Sequence, residues 1–359
     1  MQLVAGVLEI MGNPEEVDFN FDDEADGLHA LPPMRLTKLT KEASGKSVED
    51  NLNAKIAGTW YNIHFPNMPL MSQTLALVPG AVLGLCGGSK VGKSFLLLEW
   101  FWRWVMEGVE VRMLALESGC DFHAERMVAQ MAEMRDFIDP VALQNPEIAE
   151  KARAALATWK PWTDYICPNI QDMSDNPQTV GNVLAWMERE LRGQGPTGRK
   201  AQIVIVDPVT AIAPDKGQRF ADHYRLVLEA DRLARKTDGR VILSTHPIRS
   251  KSMFGKPEKP SIDRVANGQA YGQFCTGFGW LEYAEPVRTK CLKCNGKGTW
   301  ADGATKSHCT VCAGTGKSQQ KQKGNRTFHW LVVRRAPNPG KIDMSFHGNS
   351  LTHTEIIPE

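Results

Sequence analysis

The stretch GGSKVGKS (87–94) constrains this chain more than any other. Its G-x-x-x-x-G-K-S spacing suits a loop whose backbone N–H groups wrap a phosphate, and such a loop works only between a strand and a helix. Both neighbours fit. AVLGLC (81–86) is an apolar run of buried-strand type, and SFLLLEWFWRWVMEG (94–108) is an apolar helix closed by glycine. Gly87, Gly88, Ser89, Lys90, Val91 and Gly92 would form the cradle. Lys93 would reach the β- and γ-phosphates of a nucleotide, and Ser94 would bind its Mg²⁺.

The rest of the chain alternates in the same way. VRMLALE (111–117), YICPNI (165–170), AQIVIVD (201–207) and RVILSTH (240–246) are predicted as strands. Helical patterns lie over 124–137, 177–193 and 223–239, and a polar helical stretch over 138–163 reads as an insertion. FGWLEYAE (278–285) and FHWLVVRR (328–335) are predicted as late strands. This order predicts an α/β fold, a mostly parallel sheet with helices on both faces.

Three strand tips carry chemistry. Asp207 ends an apolar strand, where a carboxylate can hold the Mg²⁺ water shell. Pro208 comes next, so a water-activating carboxylate must come from elsewhere, and Glu117 at the tip of 111–117 is the candidate general base. It could also be an acid leading the next helix. His246, ending RVILSTH, can hydrogen-bond a γ-phosphate and sense its loss; its alternative is a loop histidine.

The order GGSKVGKS, LALES with Arg126 downstream, IVIVDP and ILSTH resembles the RecA/DnaB-like ATPases, most closely the RepA-type hexameric helicase branch of plasmids and phages. The likeness covers roughly 58–285 and 327–347. It implies a RecA-like P-loop core, ATP bound between subunits, and rings or filaments around DNA. It also implies Lys93 and Ser94 as ATP·Mg²⁺ ligands, Glu117 as base, Asp207 as metal holder and His246 as sensor. VVRRAPNPGKIDMSF matches the family's basic strand and Gly-Pro turn, which reach a neighbour's ATP. Arg334 and Arg335 are therefore candidates to act in trans, although the spacing departs from the family's and does not choose between them.

By the same resemblance, the segments after the Asp207 and His246 strands face the centre of a ring. These are 210–220, with Arg219, and 247–274, with Arg249, Lys251, Lys256, Lys259 and Arg264. Phe254, Tyr271 and Phe274 are interleaved there. Basic groups that track phosphates beside stacking rings suit single strands. An ordinary surface loop is the alternative.

CLKCNGKG (291–298) and CTVCAGTG (309–316) repeat C-x-x-C-x-G-x-G. Two such pairs predict one closed, structural Zn²⁺ site from Cys291, Cys294, Cys309 and Cys312, with a disulfide pair as the alternative. The repeat resembles the zinc module of DnaJ chaperones over these residues alone. From Arg288 to Arg326 the segment carries many Lys and Arg against Asp302, which suits nucleic acid or an acidic partner.

The whole chain has 359 residues and a net charge of +1, so any nucleic-acid footprint must be local. No apolar run is long enough to span a membrane and the start has no basic leader, which predicts a reducing cytoplasm. The expected organisation is an acidic then basic flexible arm (1–57), a RecA-like core (58–286), a zinc-knuckle insertion (287–326) and final core strands with a C-terminal tail (327–359). Three functions compete: an ATP-driven, ring-forming DNA helicase or translocase; a RecA-like ATPase that coats single strands without unwinding; and a non-DNA regulatory P-loop ATPase. A homo-oligomer, single-stranded DNA and a replication or recombination partner at the zinc insertion are the expected partners.

Overall fold

The structure is a computed structural model. It describes residues 49–357 except 51, 174–177, 214–218, 249–258, 285–287, 291–293, 295–296, 298, 303–304, 310–316 and 320–323. The chain divides into two units at Asn53, and the fold below is that of Ala54–Glu359. Nearly all of the arm expected over 1–57 lies outside the described residues.

Six parallel strands carry the site. They are β1 (Val82–Gly87), β2 (Val111–Ala115), β3 (Ile170–Gln171), β4 (Ile203–Asp207), β5 (Arg240–Thr245) and β6 (Gly277–Tyr283), in the spatial order β3-β2-β4-β5-β1-β6. Beyond β6 the direction reverses through β11 (Arg326–Val333), β12 (Lys341–His347) and β13 (Thr352–Glu355), completing a nine-stranded sheet. Between β6 and β11, β7 (Arg288–Lys290) pairs with β10 (Lys317–Gln319) and β8 (Thr299–Asp302) with β9 (Thr305–His308), apart from that sheet.

Strand periodicity divides the core in two. Leu83 and Leu85 of β1 join one apolar cluster, and their neighbours Val82 and Cys86 join the other. A strand buried on both faces reads as a continuous apolar run, which is why β1, β4 and β5 were legible. Helix α1 (Lys93–Met106) covers the first face with Leu96, Trp100 and Trp104. Helices α4 (Val180–Leu191) and α5 (Arg219–Thr237) cover the second, with Trp186, Met187, Leu226 and Val227. Gly84 of β1 has a structural reason: a Cβ there would collide with the Phe278 ring of β6.

The structure corrects the strand expected over 165–170. Helix α3 (Pro146–Ile166) runs into its start, a 3₁₀ turn takes Cys167–Asn169, and β3 keeps only two residues. Asn145 caps α3 by accepting the Glu147 N–H at 2.9 Å. Ala152, Thr163 and Ile166 are its buried positions, a helical spacing that outweighs the β-like composition of the helix's last residues. The segment read as a loop over 247–274 also ends in a helix, α6 (Gly268–Phe274). Tyr271 within it is 1% exposed, its ring 5.2 Å from that of Phe278, so it belongs to the core and cannot stack on a base. Phe274 packs edge-on to Tyr224 at 5.6 Å. Strands β12 and β13, short and polar, were not predicted individually.

No helix among the described residues is long and apolar enough to cross a membrane.

Candidate functional site

Parallel register gathers the three strand tips. Cys86 of β1 lies beside Thr245 of β5, so His246 stands next to Gly87. Ala115 of β2 lies beside Asp207 of β4, and Glu117 is two residues past β2. All three tips therefore stand at the carboxyl edge of the sheet, where open α/β sheets bind ligands.

The loop 87–92 has the backbone its glycines allow. Gly92 has φ +102 and caps α1, and Lys90 is also left-handed with φ +64. A Cβ at Gly92 would lie 3.0 Å from the His353 ring, so close packing adds to the conformational demand. A cleft of about 330 Å³ opens above the loop, lined by Gly88, Ser89, Lys90, Lys93, Ser94, Glu117, Arg126, His246 and Phe346 among others.

Lys93 is 4% exposed. Its Nζ donates to the Thr245 carbonyl at 2.9 Å and lies 3.3 Å and 3.4 Å from the two His246 ring nitrogens. Burial lowers its pKa, and the Asp207, Cys86 and Glu117 charges oppose that shift. An ammonium so little solvated is poised to exchange a carbonyl for a phosphate oxygen. His246 Nδ1 is 3.3 Å from the Gly87 carbonyl, and its Nε2 is 3.6 Å from the Glu117 carboxylate. Burial, then Lys93, pushes the His246 pKa below its ordinary value.

Asp207 is buried, and its Oδ1 accepts a hydrogen bond from the Ser244 hydroxyl. Ser94 lines the cleft. A hydroxyl and a carboxylate are oxygen donors of the kind that a hard cation such as Mg²⁺ takes. Arg126 of α2 (Cys120–Met131) reaches the cleft between two rings, 4.7 Å over Phe95 and 3.6 Å over Phe122. Sequence reasoning did not find Phe346, Ser244 or the two rings around Arg126; of this group it singled out Arg126 alone.

The remaining candidates are scattered. Arg334 Nε donates to the Cys275 carbonyl at 2.9 Å, and its Nη2 donates to the Gly272 and Gln273 carbonyls. It thus closes the carboxyl end of α6. Arg335 is exposed and makes no bond among the described residues. Both come after Val333, which pairs with Gly277 at the amino end of β6, so they stand at the edge of the sheet away from the chain's own phosphate loop. Arg219 opens α5. Arg249, Lys251 and Lys256 lie outside the described residues. Lys259 is exposed, and Arg264 is half-buried, donating to the Lys259 carbonyl at 3.2 Å with its guanidinium 6.0 Å over Trp280.

Cys294 and Cys309 are both buried and pack on each other as a separate small cluster. Cys291 and Cys312 lie outside the described residues. Among the described residues no three candidate ligands converge. The buried cysteine pair fits half of a thiolate site.

Residues 73–251 match the AAA domain family. No curated protein matches the sequence. Two solved structures share the fold. One is a DnaB-like replicative helicase studied in its interactions with primase: TM-score 0.62, 13% identity, covering 86% of this chain and 66% of that one. The other is a separately solved ATPase domain: TM-score 0.64, 13% identity, covering 87% of this chain and 98% of that one. The chain thus spans just under two thirds of the length of the first. At this identity the likeness is one of fold alone.

Proposed function

We propose that this chain, built on a RecA/DnaB-like P-loop ATPase core, is an ATP-hydrolysing helicase or translocase that works on single-stranded DNA as a homo-oligomer. The observation that carries this is the meeting of Lys93, Glu117, Asp207 and His246 at one edge of the sheet, while Arg335 stands at the other. The first four can hold and hydrolyse ATP. The fifth can serve only an ATP bound by another copy.

In this reading the loop N–H groups and Lys93 hold the β- and γ-phosphates, and Ser94 and Asp207 hold Mg²⁺, which supplies charge neutralisation on the phosphates. Glu117, exposed to solvent beside the cleft, orients the attacking water and takes its proton. His246 touches Lys93 and the first loop carbonyl, so loss of the γ-phosphate is felt at the start of the segment 247–274. That segment and Arg219 form the proposed DNA contact, with Arg249, Lys251, Lys256, Lys259 and Arg264. The two C-x-x-C pairs hold one Zn²⁺ in place of a core too small for the insertion, and the insertion's basic character fits nucleic acid.

The test is hydrolysis with and without single-stranded DNA, and strand displacement on a forked duplex. Strong stimulation with displacement supports the proposal. Stimulation without displacement favours a coating ATPase, and no DNA effect at any salt overturns both DNA readings. Persistent hydrolysis by Lys93→Ala would overturn the assignment of the loop.

A further inference from the structure

The insertion leaves the core between Tyr283, the last residue of β6, and Arg326, the first of β11, and these two are cross-strand partners. The Ala284 N–H donates to the Asn325 carbonyl at 3.2 Å and closes the mouth just outside them. Both partners turn back to the phosphate loop. The Tyr283 hydroxyl donates to the Lys90 carbonyl at 2.8 Å, and Arg326 Nε donates to the Val91 carbonyl at 2.7 Å. The Arg326 guanidinium lies 4.1 Å over the Tyr283 ring and 5.2 Å over that of Phe346. Asn325 adds a third tie: its amide donates to the Phe346 carbonyl at 2.8 Å and accepts the Phe346 N–H at 2.7 Å. Phe346 lines the nucleotide cleft.

A peptide plane is rigid, and across a trans bond its C=O and N–H point opposite ways. Fixing the Lys90 carbonyl from outside therefore aims the Val91 N–H. Fixing the Val91 carbonyl aims the Gly92 N–H. These are the donors a phosphate loop must present together.

We propose that Tyr283 and Arg326 are positioning residues of the phosphate loop, and that through them the basic insertion, when engaged by nucleic acid, changes the affinity for ATP. This rests on the reading of the loop as an ATP site. It adds regulation of that site by a segment far from it in sequence.

The experiment measures the affinity of a fluorescent ATP analogue together with the melting temperature. Tyr283→Phe and Arg326→Met should each weaken binding about 3- to 10-fold, as loss of a hydrogen bond to a fixed backbone group does; Tyr283→Phe should melt like the wild type, and Arg326→Met a few degrees lower, because the buried Val91 carbonyl loses its donor. Arg326→Lys, which keeps a charged donor, should recover part of that. Wild-type affinity in both Tyr283→Phe and Arg326→Met overturns the positioning role. For the coupling, residues 285–324 are replaced by a short Gly-Ser turn. The replacement should shift affinity at least about 3-fold in the wild-type background and not when both anchors are changed. Equal shifts in the two backgrounds, or none in the first, overturn it. Should the replacement not fold, a dT oligonucleotide added to the intact chain takes its place; a shift that needs the anchors supports the coupling, and an equal shift without them, or none, overturns it. Lys93→Ala separates the two failures. If it binds the analogue as the wild type does, the ATP reading itself is wrong; if it does not, unshifted anchor variants count against the positioning role and leave the ATP reading standing.

Discussion

The Nε2 of His246 lies 3.6 Å from the carboxylate of Glu117, while both of its ring nitrogens lie within 3.4 Å of the Lys93 ammonium. One imidazole thus stands between the group proposed to activate water and the group proposed to hold the phosphate. Burial and Lys93 keep it neutral where an ordinary histidine would begin to charge. The contact with Glu117 is therefore one made by a neutral ring.

On the proposed reading Glu117→Gln keeps the shape of the site and loses the base. Turnover should fall about 100-fold or more, with ATP affinity changed less than about 3-fold, measured by steady-state hydrolysis and analogue binding. Equal loss in both quantities would place Glu117 in binding rather than chemistry.

Three histidines make stability depend on pH with a definite sign. The pKa values of His123, His246 and His353 are all lowered, in each case chiefly by burial. Asp207 opposes the shift at His123 and Arg126 adds to it; at His353, Glu99 opposes it, and Arg326 and His347 add to it. A histidine with a depressed folded pKa takes up protons first in the unfolded chain. Its stabilisation is complete above about 6.5, the ordinary value, and is lost as pH falls from there toward the folded pKa. The urea midpoint should drop between about pH 7.5 and about pH 5.5. A midpoint that is flat or rises on acidification contradicts this.

Arg334 and Arg335 are adjacent in sequence but should behave differently. Arg334→Ala removes donors to three carbonyls at the end of α6 and should lower the melting temperature by a few degrees, from about 1–2 kcal/mol. Arg335→Ala should melt like the wild type and hydrolyse ATP poorly. Mixed with Lys93→Ala it should regain part of its turnover, because an intact loop then meets an intact arginine. No recovery at any ratio argues against a shared site.

Zinc is checked directly. The purified chain should carry about one zinc per chain by elemental analysis, and Cys294→Ser should lose it while keeping basal hydrolysis. A chain that binds no zinc when supplied with it during folding has no such site.

The parts read from sequence were those where one residue type in one pattern has one physical cause. GGSKVGKS needed a strand before it and a helix after it, and β1 and α1 are there. The apolar runs of β4 and β5 are apolar because both faces are covered. The strand expected at YICPNI failed because local composition favoured a strand while Thr163 and Ile166 were already committed to a helical face. Strands β12 and β13 were missed because neither is a continuous apolar run: β12 alternates buried Ile342 and Met344 with polar residues, and β13, at the sheet's edge, is polar throughout. The three tips at the sheet's carboxyl edge, Glu117, Asp207 and His246, were legible as strand ends. Phe346 was not, because nothing local ties it to a loop more than two hundred residues earlier; only the reversal of the sheet after β6 brings it there.

The mouth closed by Ala284 and Asn325 has a use in protein engineering. Two adjacent strand ends, already hydrogen-bonded to each other, impose no length on what joins them. A binding module whose own termini lie close together could be grafted in place of the native insertion without re-registering β6 and β11. With Tyr283 and Arg326 left in place, the affinity for nucleotide would become the reporter of whatever the graft was chosen to bind.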